Sequence, residues 1–115
     1  MFHSIRAIKA ANEAAGQFFF SPGSMAFFQS RVSHKLHGPY FVTSERPRWD
    51  HKSERRYTIR KVEDNGSIDT IGEFGAFASS REAHKEAARL WEADCRQSAP
   101  VGYPVEAVRS MAAMG

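Results

Sequence analysis

Residues 55–74, RRYTIRKVEDNGSIDTIGEF, constrain the fold more than any other stretch of the chain. Two segments of alternating character flank Asn65-Gly66, the strongest short-range hairpin signal. A two-residue turn there sets Tyr57 opposite Phe74, Ile59 opposite Gly72 and Lys61 opposite Thr70. That face is apolar enough to be the core side. Arg56, Thr58, Arg60 and Val62 then point outward with Glu73, Ile71 and Asp69, so the outer face mixes arginine with acid at cross-strand spacing. A register shift of one residue would exchange the two faces.

The remaining elements follow from caps and periodicity. Ser4 can cap a helix over 4–15, with Ile5, Ile8, Ala11 and Ala15 on one face and Gly16 as its stop. Ser21-Pro22 reads as an N-cap with proline at the first helical position, opening a helix over 22–32 on which Met25, Phe28 and Val32 share a face. Five phenylalanines within 18–28 are expected to form the main core cluster. Strands are expected over 39–45, 55–63 and 67–75. Ser79 with Glu82 makes a capping box for a helix over 80–96, whose stripe Ala83, Ala87, Leu90, Trp91 and Asp94 would cover the sheet. A short C-terminal helix over 104–113 completes the reading. The expected fold is a single α+β domain over 1–115: a three-stranded antiparallel meander packed by N-terminal helices and a C-terminal alanine-rich helix.

The 115 residues suit one domain with one modest core. No apolar run approaches the ~18 residues of a membrane span, and the charged N-terminus does not read as a signal peptide. The single cysteine, Cys95, excludes an internal disulfide framework and is read as structural. These features point to the cytoplasm of a bacterial cell. The net charge of +3 hides a pattern. Residues 31–61 hold nine Lys or Arg against three acids, giving +6, and residues 62–94 hold three against eight, giving −5. Such asymmetry suggests an acidic or polyanionic partner for the first half, unless the halves meet in space and neutralise each other.

No phosphate-binding loop, dinucleotide fingerprint or nucleophile elbow is present. His34 and His37 form a close pair that reads as a solvated loop, because zinc would need further ligands. Ser44, Asp50, His51 and Ser53 could be drawn as a hydrolytic set, but spacing alone does not make one. The chain is not expected to be an enzyme, and no metal or cofactor is expected. What stands out is the loop TSERPRWDHKSERRY, residues 43–57, with five Lys or Arg and a tryptophan. Arg and Trp are enriched at binding hot spots. The expected partner-binding residues are therefore Arg46, Arg48, Trp49, His51, Lys52, Arg55 and Arg56.

Taken together, IKAANEAAGQFFF, MAFFQSRV, YFVTSE, RRYTIR and GSIDTIGEF, followed by an alanine-rich helix, resemble a family of small uncharacterised proteins carried by bacteriophages and conjugative elements. The stretches span about Ile8 to Ala88. The resemblance implies a mobile-element accessory protein. A common role for such proteins is to bind and disable a host defence complex, as anti-CRISPR proteins do.

A second, local resemblance covers about 50 residues. YTIRKVEDNGSIDTIGEF followed by SREAHKEAARLWEA is similar in layout to the DNA-binding domains of plant ethylene-response factors and phage integrases. That resemblance implies a sheet that enters the major groove with a helix bracing its back. It departs where Asp69 and Glu73 share the outer face with Arg56 and Arg60, since acids beside phosphates weaken binding. The expected function is thus stoichiometric binding to a host protein or nucleoprotein complex, with nucleic-acid binding as the alternative. A third reading makes the Phe-rich segment a dimer surface. The protein is expected to be a monomer or homodimer with no membrane association.

Overall fold

The computed structural model describes residues 1–46 and 54–98. Its elements run α1 (Ile5–Ala14), α2 (Pro22–Phe27), β1 (Arg31–Val32), β2 (Tyr40–Glu45), β3 (Arg56–Val62), β4 (Ile68–Ile71) and α3 (Ser80–Ser98). The class is α+β. The sheet has four antiparallel strands in the order β1-β2-β3-β4, one more than the expected meander. The helix expected over 104–113 lies outside the described residues.

The extra strand arises where the second helix was expected to continue. Ser21 caps α2 as expected, its Oγ accepting from the Ser24 N–H at 3.2 Å. The helix stops at Phe27 rather than at residue 32. Gln29 adopts φ 49°, the left-handed conformation that ends a helix. Arg31 and Val32 then pair with Ser44 and Thr43 of β2. Val32 packs on the core from this strand and not from a helix face.

The hairpin differs from expectation by one residue. Ile59 pairs with Ile71, Arg60 with Thr70, Lys61 with Asp69 and Val62 with Ile68. The turn holds three residues, not two: the Gly66 N–H donates to Glu63 O and the Glu63 N–H to Ser67 O, each at 2.9 Å. Gly66 takes φ 91°, as the left-handed third position of such a loop requires. Asn65 Oδ1 fixes the turn by accepting from the Ser67 N–H at 3.0 Å and hydroxyl at 2.8 Å. The extra loop residue moves every β4 side chain to the other face, and the strand spans only Ile68–Ile71, with Gly72 at φ 75° directly after it.

One face of the sheet is covered by the alanine-rich helix as expected, but β4 supplies Ile71 to it, a residue expected on the outer face. Tyr40, Val42 and Ile59 pack against Ala83 and Ala87 of α3, with Tyr57, Ile71, Phe77, Leu90 and Trp91 around them. Ser79 caps this helix through its Oγ. The alanines let the helix backbone approach the sheet closely.

The expected outer face is a second core. Phe41, Val62, Ile5, Ile8 and Phe20 form one buried cluster, with Phe19, Val32, Leu36 and Ile68 against it. Helix α1 lies across this face, and β2 is buried along its whole length. A Schellman closure ends α1: the Gly16 N–H donates to Glu13 O and the Gln17 N–H to Asn12 O. Buried Asn12 then donates from Nδ2 to Gly66 O at 2.8 Å, tying α1 to the hairpin tip. A Cβ at Gly66 would stand 2.5 Å from Ala11 O, so no larger residue fits there. Phe19 and Phe20 join the core, but Phe18 and Phe27 remain 75% and 49% exposed. The run of phenylalanines is therefore split between core and surface.

Arg60 and Glu45 stand at the polar end of this second core. The Arg60 guanidinium donates to Glu45 at 3.1 Å, with the side chains 11% and 3% exposed. Arg60 Nε donates to Thr43 Oγ1 at 2.9 Å, and its Nη1 donates to Thr70 Oγ1. The Thr43 and Thr58 hydroxyls donate to the two carboxylate oxygens of Glu45. Phe19 and Phe74 rings lie 5.2 and 5.5 Å from the guanidinium carbon. Removing one member of such a pair strands a buried charge at a cost of about 3–5 kcal/mol. Glu45→Ala is therefore expected to lower unfolding free energy by about 3 kcal/mol in urea titrations. The paired replacement Glu45→Leu/Arg60→Met should cost less than the single one. A Glu45→Ala loss below about 0.5 kcal/mol, the range of ordinary surface changes, would contradict this burial.

Candidate functional site

Strand polarity separates the charges in space. The C-terminal end of β2 and the start of β3 bring together Arg31, Arg46, Arg55 and Arg56. The opposite end carries Glu63, Asp64 and Asp69 at the hairpin turn. A seven-residue strand sets these ends roughly 20 Å apart. Glu63, Asp64 and Asp69 are thus kept apart from the arginines along β3, whereas Glu73 of the same acidic segment lies at the basic end.

The basic end is built around Arg55. Its Nη1 donates to Ser44 Oγ at 2.8 Å and its Nη2 to Gln29 O at 2.7 Å. The left-handed Gln29 turn is thus clasped by the chain that starts β3. The Arg46 N–H donates to the neighbouring Phe28 O at 2.7 Å, so both stems of the intervening loop rest on one turn. Burial pulls the Arg55 guanidinium pKa down, and the charges of Arg31 and Arg46 add to that effect. Three cationic groups therefore crowd one corner. Of the described acids at this end, Glu45 is committed to Arg60, and Glu54 and Glu73 are exposed.

Arg56 is fixed differently. Its Nε donates to Gly75 O at 2.8 Å and its Nη2 to Ala76 O at 3.1 Å. Of the seven expected binding residues, the fold brings Arg46 and Arg55 together and sets Arg56 beside them at the start of β3. Arg55 and Arg56 hold neighbouring backbone carbonyls, a structural duty the sequence did not reveal. Arg48, Trp49, His51 and Lys52 lie outside the described residues. So do Asp50 and Ser53, and Ser44 is engaged by Arg55, so the hydrolytic set drawn in this loop is not assembled among described residues.

Arg31 was missed because it was placed inside a helix. A second polar cluster was missed for a different reason. His37 was read as loop, and His84 lies 47 positions away on α3. In the fold His37 Nε2 and His84 Nδ1 are 2.9 Å apart, and His84 Nε2 lies 3.0 Å from Ser33 Oγ. Each of the three residues is partly buried. Nearby, Gly38 takes φ 60°, and the Trp91 ring lies where a Gly38 Cβ would stand. Tyr40 donates its hydroxyl to Asp94 at the same end of α3. Burial and the Asp94 carboxylate push the Tyr40 phenol up to about 12. Among the described residues no group of three or more His, Cys, Asp or Glu could hold a metal ion.

These features define a small α+β domain with a sheet clad on both faces, a basic end and a separate serine–histidine cluster. A family model described as a family of unknown function (DUF7447) matches residues 4–88, and the chain belongs to that family. No curated protein and no solved structure matches the chain. The family region includes Ser33, His37, His84 and the whole basic loop. No helix among the described residues is long and apolar enough to cross a membrane.

Burial lowers both histidine pKa values from 6.5; the paired ring and Lys35 lower His37 further, and Lys35 lowers His84. The unfolded chain therefore takes up these protons first as pH falls below 6.5. Stability from this cluster is fully present above that pH and is lost as pH falls toward the lower folded values. Chemical denaturation at pH 7.5 and 5.5 should show a loss on acidification that is smaller in a His37→Gln/His84→Gln variant. An equal loss in both proteins would exclude the cluster as its source.

Proposed function

We propose that the protein acts by stoichiometric binding, using the basic end of its sheet to cap an acidic site on a host protein or nucleoprotein complex. The observation that carries this reading is the convergence of Arg31, Arg46 and Arg55 at one corner, with the acidic hairpin turn at the far end. Such a charge layout steers and orients an anionic partner. Arg48 and Trp49 belong to the loop whose two stems are pinned at that corner, and their residue types suit a hot spot. The resemblance to proteins of bacteriophages and conjugative elements supplies the setting: an anti-defence inhibitor of anti-CRISPR type, working in the bacterial cytoplasm through binding at this end of the sheet.

Nucleic-acid binding is the second reading, and the same arginine cluster favours it. Phosphate contact through this corner fits better than the sheet-in-groove mode of the ethylene-response and integrase domains. That mode needs an open sheet face, and here both faces of β2 and β3 carry packed helices or aromatic side chains.

Arg55→Ala and Arg56→Ala are poor probes, because each removes hydrogen bonds that hold the fold. Arg48→Ala/Trp49→Ala is the cleaner variant. Wild-type protein should retain a partner from host lysate, and the double variant should retain at least about tenfold less, as loss of a hot spot implies. Equal recovery by both would remove the loop from the binding surface. For nucleic acid, affinity for duplex or single strands should fall steeply between low and moderate salt. No binding at low salt would eliminate that reading.

A further inference from the structure

Ser33, His84 and His37 come from three separate parts of the chain, and the fold lines up their polar atoms. Ser33 follows the edge strand β1, His37 precedes the tight Gly38-Pro39 turn, and His84 lies in the second turn of α3. Ser33 Oγ is 3.0 Å from His84 Nε2, and His84 Nδ1 is 2.9 Å from His37 Nε2. A nucleophile on one ring nitrogen of a histidine, with an orienting group on the other, is the arrangement by which a serine is activated. The Lys35 N–H donates to Ser33 Oγ at 3.5 Å, which holds the hydroxyl beside His84. The Lys35 ammonium is close enough to act on both imidazoles.

We propose that these residues form an acyl-transfer site, with Ser33 as nucleophile, His84 as general base and His37 as the positioning residue, acting on a carboxylic ester or thioester. Ser33 Oγ bonds to the carbonyl carbon while its proton passes to His84 Nε2. The bond from that carbon to the leaving oxygen or sulfur then breaks, and the leaving group takes the proton from His84. Water attacks the acyl-serine next, gives its proton to His84 and releases the carboxylic acid as Oγ regains the proton. His37 Nε2 accepts from the His84 Nδ1–H, which fixes the tautomer that leaves Nε2 free as base. His37 is neutral and supports the imidazolium less than a carboxylate would, so the reaction is slow relative to an aspartate-assisted triad. The site is independent of the basic end and does not rest on the binding reading.

A fluorophosphonate ester tests it, because it phosphonylates an activated serine and leaves an adduct visible by mass. The wild-type chain should gain one adduct, mapped to Ser33 by peptide sequencing. His84→Gln should react at least about a hundredfold more slowly, the span of general-base catalysis. His37→Gln, whose carboxamide oxygen can accept the same hydrogen bond, should keep more of the rate than His37→Leu. The wild-type rate should rise with pH through an ionisation below 6.5 and then level. Thermal melts by circular dichroism confirm that each compared variant is folded. If the wild-type chain takes no adduct, or takes it away from Ser33, or if folded His84→Gln reacts as fast as wild type, the proposal is overturned and the cluster is a structural link between β1 and α3.

Discussion

The Arg60–Glu45 pair decides how this chain uses its sheet. A guanidinium and a carboxylate in mid-sheet would ordinarily mark a solvent face. Here they are desolvated together, and three threonine hydroxyls from β2, β3 and β4 supply the remaining hydrogen bonds. That satisfaction lets Phe19 and Phe74 close over the guanidinium and lets α1 cover the face beside it. A buried ion pair left half satisfied would cost more than it returns. With every partner in place, it ties three strands to one another at a fixed register.

Much else depends on that register. The three-residue hairpin loop sets Thr70 opposite Arg60, where its hydroxyl can accept. The same loop presents Gly66 O to Asn12, which anchors α1. The two ends of the sheet are held by different contacts. The hairpin end is locked by α1, and the other end is held by Arg55 and Arg56, whose donors grip carbonyls of adjoining turns. These hydrogen bonds pin the base of the basic corner, and a pre-organised base would limit the ordering cost of the binding proposed for it.

The sequence made some of this legible. The caps at Ser4, Ser21 and Ser79, the stop at Gly16, the strand at Tyr40–Glu45 and the alanine stripe of α3 were all readable, since each rests on local chemistry. The register was not, because Asn65-Gly66 serves either a two- or a three-residue loop, and the three-residue loop is supported by the bond from Asn12, more than fifty residues away, as well as by Asn65 itself. Arg60 on the expected outer face looked solvated, because nothing local tells that Glu45 and three threonines will surround it. Likewise Arg31-Val32 carries no strand signal of its own; β2 recruits it. The charge asymmetry was readable, but whether its halves would meet was not. The Ser33–His84–His37 alignment was invisible because a cluster of this kind is defined by geometry between distant segments.

The most direct measurement of the whole account is the solution NMR signal of the Arg60 Nε–H proton. Exchange should be slow at neutral pH, far slower than that of exposed Arg89, with nuclear Overhauser contacts to the Phe19 and Phe74 rings and to Thr43. An Arg60 proton that exchanges with water as fast as that of Arg89, without aromatic contacts, would contradict the second core and the register built upon it.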